Sequence, residues 1–166
     1  MRFAFAILGF ALAASAASGA TFSYAGTALS PAVGGGTGAK AITLSFTAAQ
    51  APKPGKCVLA TKLAKYSDGA RTWNKLRKAG YKLIRNGDTG PVTYARVCLG
   101  TNGTTVSGTY NILAEYYNGV VLDDFIANNI SNGNATDRVE FDEYLGGDPH
   151  IYSDVSASPG IWLITP

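Results

Sequence analysis

Apolar and polar residues alternate with a period of two through much of this chain. In residues 40–48, Ile42, Leu44 and Phe46 fall on one face and Thr43, Ser45 and Thr47 on the other, the pattern of a half-buried strand. Tyr110, Ile112, Ala114 and Tyr116 alternate in the same way with Asn111, Leu113, Glu115 and Tyr117. Residues 21–29 alternate around Phe22 and Tyr24 and predict a first strand. Shorter strands are expected at residues 57–66, 81–85 and 92–99, around Val139 and Phe141, at Ile151 and Tyr152, and over the apolar run Ile161-Trp162-Leu163-Ile164. Two segments admit two readings. In residues 72–79, Trp73 and Leu76 are three apart and Gly80 can end a short helix; the alternative is an exposed strand at 71–73 followed by a loop. Residues 120–126 fit either a strand or a two-turn helix.

Turn residues separate these segments. Residues 30–38, rich in glycine, and 51–55, with Pro52, Pro54 and Gly55, read as loops. Ser67-Asp68-Gly69, residues 86–90, Asn118-Gly119, residues 146–149 and residues 156–160 read as turns. Gly100-Thr101-Asn102-Gly103 is a hairpin signal, because a tight turn needs the positive φ that Asn and Gly accept. Residues 128–137 form a long polar loop. Eight to ten short strands with a turn every 8–12 residues and no long alternating helices predict an all-β fold, an antiparallel β-sandwich of jelly-roll-like type. Twenty glycines, a single methionine and frequent Tyr, Val, Thr and Ile agree with strands joined by turns rather than a helix bundle.

The N-terminus stands apart. Arg2 precedes an uncharged apolar run over residues 3–14, followed by the small residues Ala14-Ser15-Ala16-Ala17-Ser18-Gly19-Ala20. A positive charge, a short apolar stretch and small residues are the parts of a secretory signal peptide. Cleavage after Ala16 or after Ala20 satisfies the small-x-small rule. The rival reading, an uncleaved anchor, meets a run shorter than the roughly 20 residues a membrane-spanning helix needs. Residues 1–20 are therefore read as the signal and 21–166 as one domain, secreted and without a transmembrane segment once the signal is removed. Cys57 and Cys98 are the two cysteines, and in an exported chain two cysteines are expected to pair. Two buried thiols are the alternative.

Charge changes the picture most. Residues 40–96 hold twelve basic residues against two acidic ones, whereas residues 97–166 hold one basic residue, Arg138, against nine acidic ones. The overall charge of +3 hides this asymmetry. One reading is a basic face with interleaved aromatics that meets an acidic polymer such as an exopolysaccharide. Its candidate residues are Lys62, Arg71, Trp73, Lys75, Arg85 and Tyr117, the two aromatics because they sit among polar neighbours. The second reading has strands of the two halves pairing, so that basic and acidic residues face one another across a sheet. A third is self-assembly of basic face on acidic face in a structural matrix subunit. Sequence-specific nucleic-acid recognition is excluded for want of any reader motif.

Candidate chemistry is sparse. Glu140 and Asp142 are two apart and share one face of a strand, which allows a polysaccharide-active hydrolase working through a carboxylate pair, with Glu115 as a further candidate. Solvated strand charges account for the same residues. Asp123, Asp124, Asp137, Asp142, Glu143, Asp148 and Asp154 are hard oxygen donors, but no calcium-loop motif contains them. His150 is the single histidine, which excludes the usual multi-histidine zinc sites, and no Gly-x-Ser-x-Gly elbow accompanies it. The glycine-rich stretch 34–38 lacks the lysine of a phosphate loop. The sequence thus assigns no catalytic residue, no metal and no cofactor.

Several segments taken in order resemble a known family. They are residues 20–28 (ATFSYAGTA), the strand Ile42-Thr43-Leu44-Ser45-Phe46-Thr47, the stretch Tyr66-Ser67-Asp68-Gly69-Ala70-Arg71-Thr72-Trp73, the strand Tyr110-Asn111-Ile112-Leu113-Ala114-Glu115, and Ser158-Pro159-Gly160-Ile161-Trp162. The order resembles the exported β domains of bacterial PEP-CTERM proteins, in which an SDG-x-x-T turn lies mid-domain and an SPG-x-W strand closes it. The resemblance covers most of residues 20–162 and rests on turns and strands, none of which carries chemistry. It implies a bacterial cell-surface or extracellular-matrix location and no assigned activity. Family members continue into a Pro-Glu-Pro sorting signal, an apolar helix and basic residues. This sequence has no such tail, which implies release without anchoring or a relation confined to the domain.

Overall fold

The computed structural model describes residues 19–31, 37–69, 71–120, 122–129, 138–143 and 160–166. In it the alternating segments become strands of two antiparallel sheets facing one another across an apolar core, the sandwich expected from the sequence. The first sheet contains β1 (Ala20–Pro31), β2 (Thr37–Ala48), β4 (Lys62–Ser67) and β12 (Ile161–Thr165), in the order β12-β1-β2-β4. The second contains β3 (Lys56–Ala60), β8 (Tyr94–Leu99), β9 (Val106–Tyr117), β10 (Leu122–Asn128) and β11 (Arg138–Glu143), in the order β11-β10-β9-β8-β3. The two-residue strand β5 (Lys82–Leu83) also pairs with β9, and β6 (Asn86–Gly87) and β7 (Gly90–Pro91) form a small hairpin. The one helix among the described residues, α1 (Trp73–Ala79), lies between β4 and β5.

The period of two explains which side chains meet. Phe22 and Tyr24 of β1 and Ile42, Leu44 and Phe46 of β2 are buried from one side. Ala95 and Val97 of β8, Tyr110, Ile112 and Ala114 of β9, and Phe125 and Ala127 of β10 are buried from the other. Aromatic rings join the two sheets: Tyr24 packs on Tyr110 with centroids 5.2 Å apart, Trp162 meets Tyr110 at 6.3 Å, and Tyr66 meets Phe125 edge-on at 5.2 Å, while Tyr24 also packs on Trp162, its neighbour in the first sheet, at 4.9 Å. Such tilted pairs contribute roughly 0.5–1.5 kcal/mol each beyond the area they bury. Trp162 needs room to reach this position, and Gly108 of β9 supplies it. A Cβ there would stand 2.7 Å from the Arg96 carbonyl oxygen and 3.1 Å from the indole.

The structure departs from the sequence reading at several places. Residues 57–66 are not one strand. The chain leaves β3 in the second sheet, passes Thr61 and enters β4 in the first. The break shows in burial: Leu59 is half exposed at 48%, while Ala60 and Leu63 are buried three residues apart. The ambiguous residues 72–79 form the helix, and residues 120–126 contribute to a strand, β10. The expected loop at 30–38 is shorter, because β1 runs to Pro31 and β2 begins at Thr37. Asn128, read as loop, ends β10. The side chain of Asn129 is buried and accepts a 2.7 Å hydrogen bond from the Tyr110 N–H. Residues 1–18 with the signal, the rest of the 130–137 loop, the turns at 146–149 and 156–159, and the strand expected at Ile151 and Tyr152 lie outside the described residues.

Cys57 and Cys98 are register partners on β3 and β8, with Cα atoms 3.9 Å apart, and they form a disulfide. It ties the edge strand β3 to β8 across a sequence separation of 41 residues. Cross-linking a loop of that length removes denatured-state entropy worth about 4 kcal/mol in the chain-entropy account. Replacing both cysteines with serine is expected to lower the unfolding free energy by about that amount, read as a reduced urea midpoint with an increased or unchanged slope.

Candidate functional site

The SDG-x-x-T stretch is the local architecture on which the site is built. After β4 ends at Ser67, the Asp68 side chain turns inward and is 1% exposed. It accepts hydrogen bonds from the Arg71 N–H at 2.7 Å and the Tyr66 hydroxyl at 3.1 Å, and the Arg71 guanidinium lies 3.4 Å away. The Asp68 N–H donates to the Arg71 carbonyl at 3.1 Å, closing the turn from the other side. Gly69 has φ 82°, a conformation that costs a residue with a Cβ about 1 kcal/mol or more. The turn brings Thr72 back into a bridge with Ser67.

Thr72 then starts the helix. Its hydroxyl accepts from the Lys75 N–H at 3.2 Å, the N-cap arrangement that satisfies one of the free donors of a helix start. Gly80, at φ 110°, ends it and donates to the Arg77 carbonyl. Arg77 and Lys78 occupy the last turn, where positive charge suits the helix dipole. Leu76 is the buried anchor, and Gly80 sits directly against the Tyr116 ring, which stacks at 5.6 Å on Tyr81. The helix therefore runs from β4 of one sheet toward β9 of the other.

Trp73, the first residue of the helix, is half-buried and lines a cleft of about 300 Å³ with Thr43, Lys65, Ser67, Thr72 and Asn74. Lys65 reaches it because of a β-bulge. The β2–β4 register slips between Ser45 and Phe46, which pair with Lys65 and Leu63. Ala64 is the extra residue, so Ala64 and Lys65 are both exposed and both line the cleft. Re-aiming a side chain is a recurrent use of bulges beside functional sites. Through Thr43, Ala64 and Lys65 the cleft continues into a groove of about 750 Å³ over the outer face of the first sheet, ending at Ile161 and Leu163 of β12. The groove exists because β1 and β2 line it with small side chains, among them Ser23, Ala25, Thr43 and Ser45. Three inter-strand spacings make it about 14 Å across.

The sequence-predicted residues divide. Trp73 lies in the cleft. Lys62 and Lys75 are exposed on the two elements that bound it, β4 and α1. Arg71 faces Asp68, so its charge is spent in holding the turn. Arg85 lies beyond β5, where its carbonyl accepts from Val92 and Thr93, and Tyr117 ends β9 with its hydroxyl donating to the Gly119 carbonyl. Neither lines the cleft or the groove. Lys65, Asn74, Thr43 and Ser67 are the residues the sequence reading missed. The available signal was the spacing of Leu63 and Tyr66: buried residues three apart in a strand require an extra residue between them.

Charges segregate rather than cancel. In the described strand registers a base faces an acid at one place, Lys82 opposite Glu115. Glu115 is in turn in register with Asp124, and Asp124 with Asp142, so three acids share one row across β9, β10 and β11. Glu140 is in register with Ile126. Glu115 and Asp124 line neither the cleft nor the groove. No group of three potential metal ligands is present among the described residues. The exposed bases Lys62, Lys65, Lys75, Arg77 and Lys78 instead follow β4 and α1, the elements that carry Trp73.

Asp68→Ala removes the acceptor at the centre of the turn, and charged hydrogen bonds of this kind are worth about 1.5–3 kcal/mol. A loss of about 2–3 kcal/mol in urea denaturation is expected, whereas Asp88→Ala, at an exposed turn position, should change stability by no more than about 0.5 kcal/mol. Comparison with protein families, characterised proteins and solved structures found no match to this chain, so the assignment of the site rests on this geometry.

Proposed function

We propose that this is a secreted, non-enzymatic β-sandwich domain of the bacterial cell surface or extracellular matrix, and that it holds acidic polysaccharide in the cleft beside Trp73. The observation that carries the reading is the union of a half-buried indole and a lysine in one cleft that opens into a long groove. An indole face offers a flat apolar surface to a sugar ring, and the hydroxyl and amide groups of Ser67, Thr72 and Asn74 offer hydrogen bonds to its hydroxyls. Lys65 supplies a charge for a carboxylate or sulfate on the sugar. Lys62, Lys75, Arg77 and Lys78 extend the positive field around the entrance and favour a polyanion over a neutral polymer.

The secreted location is supported by the signal-like N-terminus, by the disulfide, which is at home in an oxidising compartment, and by the resemblance to exported PEP-CTERM domains. Of the two cleavage sites, Ala16 suits the fold better. Ala20 is buried, pairs with Ala48 and opens β1, so cleavage after Ala20 would remove the first residue of that strand. No helix among the described residues is long and apolar enough to cross a membrane.

Binding of the purified protein to a panel of acidic and neutral polysaccharides and DNA, repeated across salt concentrations, tests the reading. Acidic polysaccharides are expected to bind, with affinity falling as salt rises because exposed charges are screened. Trp73→Ala is expected to weaken binding about tenfold, the loss of one central contact. Lys65→Ala should weaken it by a similar factor and flatten the salt dependence. Lys56→Ala, which removes a charge from the second sheet, should change affinity less than about twofold. No binding at low salt, or binding indifferent to Trp73 and Lys65, would refute the assignment.

A further inference from the structure

Among the described residues each sheet ends on two edge strands, β4 and β12 in the first and β3 and β11 in the second. An edge strand presents backbone donors and acceptors that another strand can pair with, and proteins blunt this tendency with charges, bulges and short strands. Three of the edges are guarded in that way. β4 carries Lys62 and Lys65 and a bulge. β3 is five residues long, begins at Lys56 and is tied back by the disulfide. β11 has charges at Arg138, Glu140, Asp142 and Glu143. β12, with the sequence Ile-Trp-Leu-Ile-Thr, has none. Its inward residue Trp162 is buried, while Ile161 and Leu163 point outward at 68% and 58% exposure.

We infer that β12 is a self-pairing edge, and that two copies of this chain associate by antiparallel pairing of their β12 strands about a two-fold axis. Charge selects the occupant. Antiparallel self-pairing of β4 would bring lysines together, and self-pairing of β11 would gather its acids, arrangements in which like charges facing across strands are destabilising. β12 meets its own copy without a charge. With the axis at Leu163, that residue faces its counterpart and Ile161 faces Thr165, which sets the outward apolar side chains of the two copies side by side on one face. A two-fold contact of this kind is self-complementary and closed, so it stops at the dimer. The inference goes beyond the binding reading and holds whether or not the groove takes a polymer. If it does, the pairing aligns two grooves along one continuous sheet and gives a polymer two points of attachment.

Sedimentation of the full chain, purified as its host processes it and with no polymer present, tests the pairing over a concentration series. The mass is expected to double with rising concentration. Leu163→Lys and Ile161→Lys should each abolish the doubling and leave the far-ultraviolet circular dichroism unchanged. A chain that stays monomeric at every concentration overturns the inference. So does a dimer that survives both substitutions, including one dissolved by salt alone, which would mark a contact of basic face on acidic face. Should the lysine variants fail to fold, Leu163→Cys decides the matter. Mild oxidation is expected to trap a covalent dimer through that position, and its absence counts against the pairing.

Discussion

Asp68 sits at the end of β4 with almost no exposure, and a carboxylate in that position must be met by donors on every side. The surrounding sequence supplies them: the Tyr66 hydroxyl from within the strand, and the Arg71 amide and guanidinium from three residues ahead. Those bonds fix the turn that sends the chain from an edge strand into the helix. Helix α1 starts on Thr72 one residue after Arg71, so Trp73 is placed by the same bonds. The cleft is thus a consequence of how one buried charge is satisfied. Behind it the two sheets are joined through Tyr110, which packs on both Tyr24 and Trp162.

The distribution of charge follows from topology. Strands β4 and β5 and the helix between them come from the basic half of the sequence, and β9, β10 and β11 come from the acidic half. Because β8, β9, β10 and β11 follow one another as neighbours in the second sheet, acids near in sequence stay near in space. Lys82 opposite Glu115 is the exception at the seam. The two halves therefore keep their signs, and the expectation that cross-strand pairs would neutralise them does not describe these strands. The positive field remains around the cleft, and the acidic row lies on the other sheet.

Much of the fold could be read from alternation alone. Ile42, Leu44 and Phe46, and Tyr110, Ile112 and Ala114, are buried as their period of two requires. The glycine turns at Gly69, Gly103 and Gly119 adopt the positive φ expected of such positions. The pairing of Cys57 with Cys98 was legible from their number and the signal-like pattern of residues 1–20. What could not be read was the change of sheet at Thr61, because residues 57–66 are apolar enough to pass as one strand. The site was legible only in part. Trp73 stands out among polar residues, but the role of Lys65 depends on a bulge, and Arg71, a plausible ligand by charge, is held by Asp68. Arg85 and Tyr117 share the right chemistry with the cleft but not its place, since their positions depend on the pairing of β5 and β9.

The central claim is that the Trp73 cleft and the groove beside it form the working surface. Following backbone amide resonances of the isotope-labelled protein while a short acidic oligosaccharide is added tests that claim most directly. The account predicts shifts concentrated at Thr43, at residues 64–67 and at residues 72–74, with the amides of β9, β10 and β11 unmoved. Shifts centred on the row of Glu115 and Asp124, or spread evenly over every exposed base, would contradict it.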